Sequence, residues 1–167
     1  MISRNKTLLF SLCTCILLLN LYSCTRASSD SEFSAAIGME VQHYLNITNM
    51  FKSPIKPYTT ITLYIVNKTL DCVVFPYNFG VKIFVYQNQG WIEIPDNVVY
   101  AYRNNVVLDP HGGLDEGAIV AIQPDYSKLG VISNRQRMRV VLIGELCKKG
   151  LPSNQLTADY IELTVEP

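Results

Sequence analysis

The sequence predicts an antiparallel all-β sandwich of seven to nine short strands, and three observations carry that prediction. From Gly38 onward apolar residues recur at every second position, the period of a half-buried strand. Turn residues cut these runs at short intervals, as in Gln87-Asn88-Gln89-Gly90, Pro95-Asp96-Asn97 and Asp109-Pro110-His111-Gly112-Gly113. No segment shows a convincing amphipathic helical stripe, and Asp125–Gly130 reads as one helical turn at most. Strands without helices to cover them must bury their apolar faces against a second sheet.

The elements follow in order. An early strand lies near Met39–Leu45. Tyr58–Asn67 turns Ile61, Leu63 and Ile65 to one face and Thr60, Thr62 and Tyr64 to the other. Val81–Gln87 alternates in the same way and returns through the Gln87–Gly90 turn as Trp91–Ile94, a hairpin. Val98–Tyr102 and Val106–Leu108 are shorter strands, and Ala118–Gln123 is another. Arg137–Leu146 is the most apolar, with Val140, Val141, Leu142 and Ile143 consecutive, so both of its faces are expected to be buried. Tyr160–Val165 closes the domain with Ile161, Leu163 and Val165 inward and Glu162, Thr164 and Glu166 outward. There is no internal repeat.

Ahead of this domain the chain has a different character. Arg4 and Lys6 precede an apolar run, Leu8–Leu21, that is shorter than the ~20 residues a membrane span needs. Small Ser23 follows, then Cys24, then a polar tract from Thr25 to Ser34 that buries little apolar area and is expected to be disordered. The division expected is a signal peptide over residues 1–23, a tether over 24–37 and one β domain over 38–167, a common single-domain size. The run Leu21-Tyr22-Ser23-Cys24 resembles the lipobox of bacterial lipoproteins, with Leu21 and Ser23 fitting and Tyr22 standing where a smaller residue is usual. The resemblance implies cleavage before Cys24, acylation of its thiol and a lasting anchor to the extracytoplasmic side of a bacterial membrane, which membrane being left open. An ordinary cleaved signal, an uncleaved anchor and a buried core helix are the competing readings of the same segment.

The chain has five cysteines. Cys13 and Cys15 would leave with the leader and Cys24 would carry lipid, so Cys72 and Cys147 remain, either as a disulfide or as two thiols. A bridge between them would close a long loop and contribute about 3–4 kcal/mol on the chain-entropy account. The strand pattern resembles immunoglobulin-like domains of bacterial surface lipoproteins, at the level of pattern and without a signature motif. Trp91 does not match the buried tryptophan of antibody domains. The resemblance implies that Tyr58–Asn67 is the second strand and Arg137–Leu146 the sixth. Their ends, at Cys72 and Cys147, would then emerge at one pole and form a loop-to-loop disulfide.

Composition excludes more functions than it suggests. Fourteen basic and fourteen acidic residues balance, and loss of Arg4 and Lys6 with the leader leaves a slight acidic excess. Without a basic stripe, nucleic acid is not an expected partner. His43 and His111 lack partners at metal-ligand spacing, and Asp109, Asp115, Glu116 and Asp125 do not follow a calcium-loop pattern. Asn46-Ile47-Thr48 and Asn67-Lys68-Thr69 match the glycosylation pattern and are read as chance in a bacterial lipoprotein. No catalytic motif, metal or cofactor is indicated, and the chain is not expected to be an enzyme.

Ten tyrosines and Trp91 are the best lead to a binding function. Tyr77, Phe79, Trp91, Tyr100 and Tyr102 are candidates to stack on a ligand, set against the plainer reading that β proteins use such rings to cover their sheets. The expected function is a lipid-anchored, non-catalytic binding or scaffold module with an unknown protein or glycan partner. Its alternatives are a carbohydrate-binding module, which needs several exposed coplanar rings, and a proteinase-inhibitor-like secreted domain, which needs a protruding loop, with Asp96–Glu116 as the candidate.

Overall fold

The computed structural model describes residues 30–51, 54–100, 104–110, 117–130, 132–148 and 151–167. The chain divides into two compact units, one ending at Glu40 and the other spanning Val41–Pro167. In the first, residues 30–37 form a helix, α1. Its stop is encoded locally: Gly38 takes a φ of +74°, and the Met39 amide donates to the Ser34 carbonyl at 3.2 Å, which closes the last turn. The expectation of a disordered tether over residues 24–37 is therefore corrected for residues 30–37. Phe33, Ala36 and Ile37 share one helical face amid polar neighbours. The remainder of the tether, the leader and Cys24 lie outside the described residues.

The second unit is antiparallel and all-β, with nine strands among the described residues. β1 (Leu45–Asn49), β2 (Ile61–Asn67) and β7 (Ala118–Ile122) form one sheet in the order β1-β2-β7. The other sheet is built around β8 (Gln136–Lys148), whose length lets it serve several neighbours. One edge of β8 pairs throughout with β9 (Leu151–Val165), interrupted by an irregularity between Leu146 and Cys147. Its other edge is shared. β4 (Lys82–Gln87) pairs with Met138–Val141 and β3 (Val73–Phe75) with Glu145 and Leu146. β5 (Gly90–Ile94) and β6 (Val106–Leu108) extend the sheet beyond β4 and β3.

Period-two sequence becomes one core. β2 alternates buried and half-buried residues along its whole length, and Ile61, Leu63 and Ile65 face inward with Val120 and Ile122 of β7. Across from them stand Val73 and Phe75, Ile83 and Val85, Met138, Val140 and Leu142, and Leu163 and Val165. Fully burying side chains of this size contributes roughly 1.5–3 kcal/mol each, which offsets the entropy of ordering the strands. As the consecutive apolar run predicted, both faces of β8 are buried over residues 138–142, while Ile143 is half-buried and Arg137 exposed. Arg139 and Val141 are as inaccessible as Val140 and Leu142.

Several expected elements are displaced. The early strand runs over Leu45–Asn49 rather than Met39–Leu45, and Val41 makes only an isolated bridge to Ala158. Val98–Tyr102 is not a strand over its described residues 98–100. There Asp96 competes for the backbone, accepting the Val98 amide at 3.1 Å and the Gln123 amide at 2.8 Å. β3 and the first half of β9 were not anticipated. The one helical turn expected in Asp125–Gly130 is present over Tyr126–Leu129 as a 3-10 turn, capped by the Asp125 side chain, which accepts the Ser127 amide at 2.9 Å.

Candidate binding surface

Cys72 and Cys147 form a disulfide that closes a separation of 75 residues. It lies within one sheet, where β3 begins and β8 approaches its end, and the Cys147 amide donates to the Cys72 carbonyl at 2.8 Å. Beside it Asn67 is 1% exposed, and its side chain ties the neighbouring loops. Its Nδ2 donates to the Asp71 carbonyl at 2.7 Å, to Asp109 at 3.2 Å and to Leu108 at 3.3 Å, while its Oδ1 accepts the Thr69 amide at 2.9 Å. That amide is spent on the fold, so the Asn67-Lys68-Thr69 pattern is structural. Asn46, by contrast, is exposed.

The five candidate stacking residues do not form one platform. Phe79 is 4% exposed and packs in the core against Phe75 at 5.7 Å between ring centroids. Tyr77 is exposed but meets Tyr100 edge to face, at 6.4 Å and 75°. The Tyr100 hydroxyl donates to Asp96 at 2.5 Å, and burial together with that carboxylate raises the phenol's pKa, so it remains a protonated donor. Trp91 belongs to a different cluster, on the face of the β8 sheet turned away from the core, and Tyr102 lies outside the described residues. Rings need a common plane to stack on a sugar, and these stand at steep angles or are buried. The Asp96–Glu116 segment is likewise not one protruding loop, because β6 within it pairs with β3.

Two concavities flank these residues. A cleft of about 410 Å³ opens where β3 and β4 part company along β8, with Val74, Asn78, Lys82, Ile143 and Glu145 in its lining. Its shape depends on Gly80, whose φ is +56° and whose close approach leaves no room for a Cβ beside the Ile143 carbonyl oxygen. A smaller hollow of about 220 Å³, lined by Phe79, Val98, Val99, Tyr100, Ile119, Val120 and Ala121, lies beside β7. Neither brings together an acid, a base and a nucleophile. Among the described residues no group of three or more His, Cys, Asp or Glu side chains is arranged to hold a metal ion.

The most ordered polar array is one that sequence reasoning did not select. Arg137 and Arg139 alternate along β8 and meet Glu162 of β9, as register dictates. Arg137 donates from Nε at 2.8 Å and from its terminal nitrogen at 2.9 Å, and Arg139 donates from Nε at 2.9 Å. Burial opposes ionisation of Glu162, but these hydrogen bonds outweigh it and hold the carboxyl below its ordinary range. The Arg137 guanidinium lies over Tyr86 and Trp91, and that of Arg139 over Trp91 at 4.7 Å and Tyr160 at 4.1 Å from the ring centroids. The legible signal was Arg-x-Arg in a strand of period two. It builds an internally satisfied ladder, which rigidifies the sheet.

Three residues before Glu162 on β9, and on the opposite face of the strand, Asp159 is buried and behaves in the opposite sense. It accepts the Leu45 amide at 2.7 Å, the Tyr160 amide at 2.7 Å, and is 3.1 Å from Nδ1 of His43. Burial raises its carboxyl pKa despite these partners. The contact fastens the start of β1 to β9 and so links the two sheets. Comparison with protein-family models, with curated proteins and with solved structures finds no match for this chain, so its reading rests on its own residues.

Proposed function

We propose that this chain is an extracytoplasmic lipoprotein, held to a bacterial membrane through an acylated Cys24, with an immunoglobulin-like β-sandwich that serves as a non-catalytic binding or scaffold module. The observation that carries the proposal is the Cys72–Cys147 disulfide. Structural disulfides persist in oxidising compartments, which agrees with a leader that directs export. It also completes the cysteine arithmetic: with Cys13 and Cys15 in the leader and Cys72 and Cys147 paired, Cys24 alone is left for lipid.

The immunoglobulin-like part is supported by strand order. β1-β2-β7 corresponds to the first, second and fifth strands of such domains, and β5-β4-β8-β9 to the run of the other sheet. β3 and β6, inserted against the end of β8, depart from that plan. The binding part is supported by the cleft above β8, on the sheet face that also carries the Arg137, Arg139 and Glu162 ladder. The steep ring angles and the pairing of β6 weigh against the carbohydrate-binding and proteinase-inhibitor alternatives.

Intact mass of the membrane-extracted protein, with and without Cys24→Ala and before and after reduction with alkylation, tests this. The expected mass begins at Cys24, includes acyl chains that the variant lacks, and gains two alkyl groups only after reduction. A freely released, unacylated chain would overturn the anchor, and alkylation without reduction would overturn the oxidised pair.

A further inference from the structure

We infer that the cleft along β8 is a subsite for a short zwitterionic peptide, of the size of an apolar dipeptide, held at its carboxylate by Lys82 and at its amine by Glu145. The cleft exists because one lane of the sheet is interrupted. β4 pairs with β8 as far as Val141, and β3 with Glu145 and Leu146, so neither pairs with Leu142, Ile143 or Gly144. Continued in register from the Val74 and Glu145 pair, β3 would set Pro76 against Ile143. Proline has no amide hydrogen to offer, so the ladder stops there. Residues 76–81 fold instead into a turn closed on itself. The Phe79 amide donates to the Pro76 carbonyl at 2.7 Å, the Val81 amide to the Asn78 carbonyl at 3.1 Å, and the Gly80 amide to the Asn78 side chain at 3.2 Å. Phe79, at a φ of +56°, anchors the turn in the core. The wall is thus built before any ligand arrives, and a preformed site loses little on binding.

The lining fits one kind of occupant. Val74, Val81, Ile143 and Leu156 supply apolar walls, and the volume of about 410 Å³ falls in the range of small-molecule sites. Among the described residues that line it, Lys82 and Glu145 bear the charge, one of each sign. Strand alternation puts both on the face opposite Ile83, Val140 and Leu142 of the core, and register places Lys82 beside Val141, four residues from Glu145 along β8. Four residues are roughly 13 Å of strand. An extended dipeptide spans about 7 Å, which leaves about a hydrogen-bond length at each end. The fold does not consume either charge. Lys82 meets Glu93 at 3.6 Å, but the side chains are 41% and 54% exposed, so that pair contributes little. Glu145 accepts the Asn154 amide through one of its two oxygens. The Ile143 backbone is turned to this edge in phase with Cys147, whose amide donates to the Cys72 carbonyl, and it offers an amide to the peptide carbonyl. A neutral sugar would use neither charge. The inference deepens the proposed function by naming the ligand of its cleft, and it rests on that reading for the cleft being a binding site.

The full chain, extracted in detergent, is titrated with leucyl-leucine, with its N-acetyl form and with its C-terminal amide, and backbone amide resonances are followed by NMR. The expected result is saturable shifts at Val74, Ile143 and Gly144 with leucyl-leucine, and an affinity about fivefold lower when either end of the peptide is blocked, the upper range for a half-exposed ion pair. Lys82→Met should weaken leucyl-leucine about fivefold and leave the C-terminal amide unaffected, while Glu145→Gln weakens leucyl-leucine and leaves the N-acetyl form unaffected. A general loosening of the fold would not sort the peptides by which end is blocked. Absence of a saturable shift at Ile143 across the millimolar range overturns the inference, as does equal affinity for the three peptides or a variant effect indifferent to the blocked end. Intact mass of the same sample reads the lipid anchor independently. An acylated chain without the shifts sinks the subsite alone, and an unacylated chain with end-specific binding sinks the anchor alone.

Discussion

The two ends of β2 are held by different means. At its C-terminal end Asn67 spends its side chain on the carbonyls of Asp71, Asp109 and the last residue of β6, Leu108, and on the Thr69 amide, beside the Cys72–Cys147 bridge. At its N-terminal end the connection from β1 is secured by backbone hydrogen bonds and buried Ile55, while Met50, Phe51 and Tyr58 stand in solvent. The first end is over-determined, with covalent and buried polar constraints acting on the same loops. The second exposes apolar area and holds Tyr58 at a φ of +63°, its ring edge-on against Tyr126. Both ends expose apolar side chains and both hold a left-handed residue, Asn154 near the bridge and Tyr58 at the other end, so the contrast lies in the covalent and buried polar ties of the bridged end.

The largest expected effect is at the bridged end. Cys147→Ser should lower the unfolding free energy by about 3–4 kcal/mol on the chain-entropy account. Urea unfolding measures the total, and amide exchange shows where it falls. If the bridge also clamps its own end, amides of Val73 and Leu108 lose more protection than those of β1. A uniform loss would mean that the bridge acts only on the unfolded chain, and the contrast between the ends would reduce to burial.

How much of this was legible in sequence depended on whether the cause was local. Ile61, Leu63 and Ile65 announced β2 because a half-buried strand must alternate, and Val140–Ile143 announced a strand covered on both faces. β3 was missed because three residues, Val73–Phe75, are too short to show a period, and they become a strand only where β8 offers an edge. The first half of β9 was missed because Pro152, Ser153 and Asn154 read as a turn, and Asn154 does take a φ of +58° within the strand. The stacking residues were chosen by type, which could not say that Phe79 would be drawn into the core while Tyr77 stayed out. Arg137 and Arg139 were visible as letters, but their meeting with Glu162 depends on the β8–β9 register. α1 was hidden by its polar composition.

A smaller effect separates two carboxylates on β9, midway between the ends. The carboxyl of Asp159 is raised by burial, so the folded chain binds its proton more tightly than the unfolded chain does. The stability it contributes is greatest below the ordinary Asp value of about 3.9 and declines as pH rises through the raised value. Glu162 is held low, because its hydrogen bonds to Arg137 and Arg139 outweigh burial. Its contribution is present above the ordinary Glu value of about 4.3 and is lost as pH falls through the depressed value. Denaturant unfolding across the acid range should therefore give opposite slopes. The cost of Asp159→Asn is larger at acid than at neutral pH, and the cost of Glu162→Gln is larger at neutral than at acid pH. Equal slopes would mean that the two sites are not set by burial and by arginine, respectively.

The smallest expected change in stability is at the open end, and its smallness is the point. Tyr58→Gly relieves a left-handed residue, which favours the variant by about 1–2 kcal/mol. It also loosens the unfolded chain by about 0.4–1 kcal/mol and removes an edge contact with Tyr126 worth about 0.5–1.5 kcal/mol. These terms nearly cancel, so the unfolding free energy should move by less than about 1.5 kcal/mol in either direction. At the other end no such freedom exists: at Gly80 the backbone of Ile143 occupies the space a side chain would need, and Gly80→Ala adds a clash to a strained φ. If Tyr58→Gly instead lowers stability by more than about 2 kcal/mol in urea unfolding, its ring is part of the structural frame, and the open end is as fully committed to the fold as the bridged one.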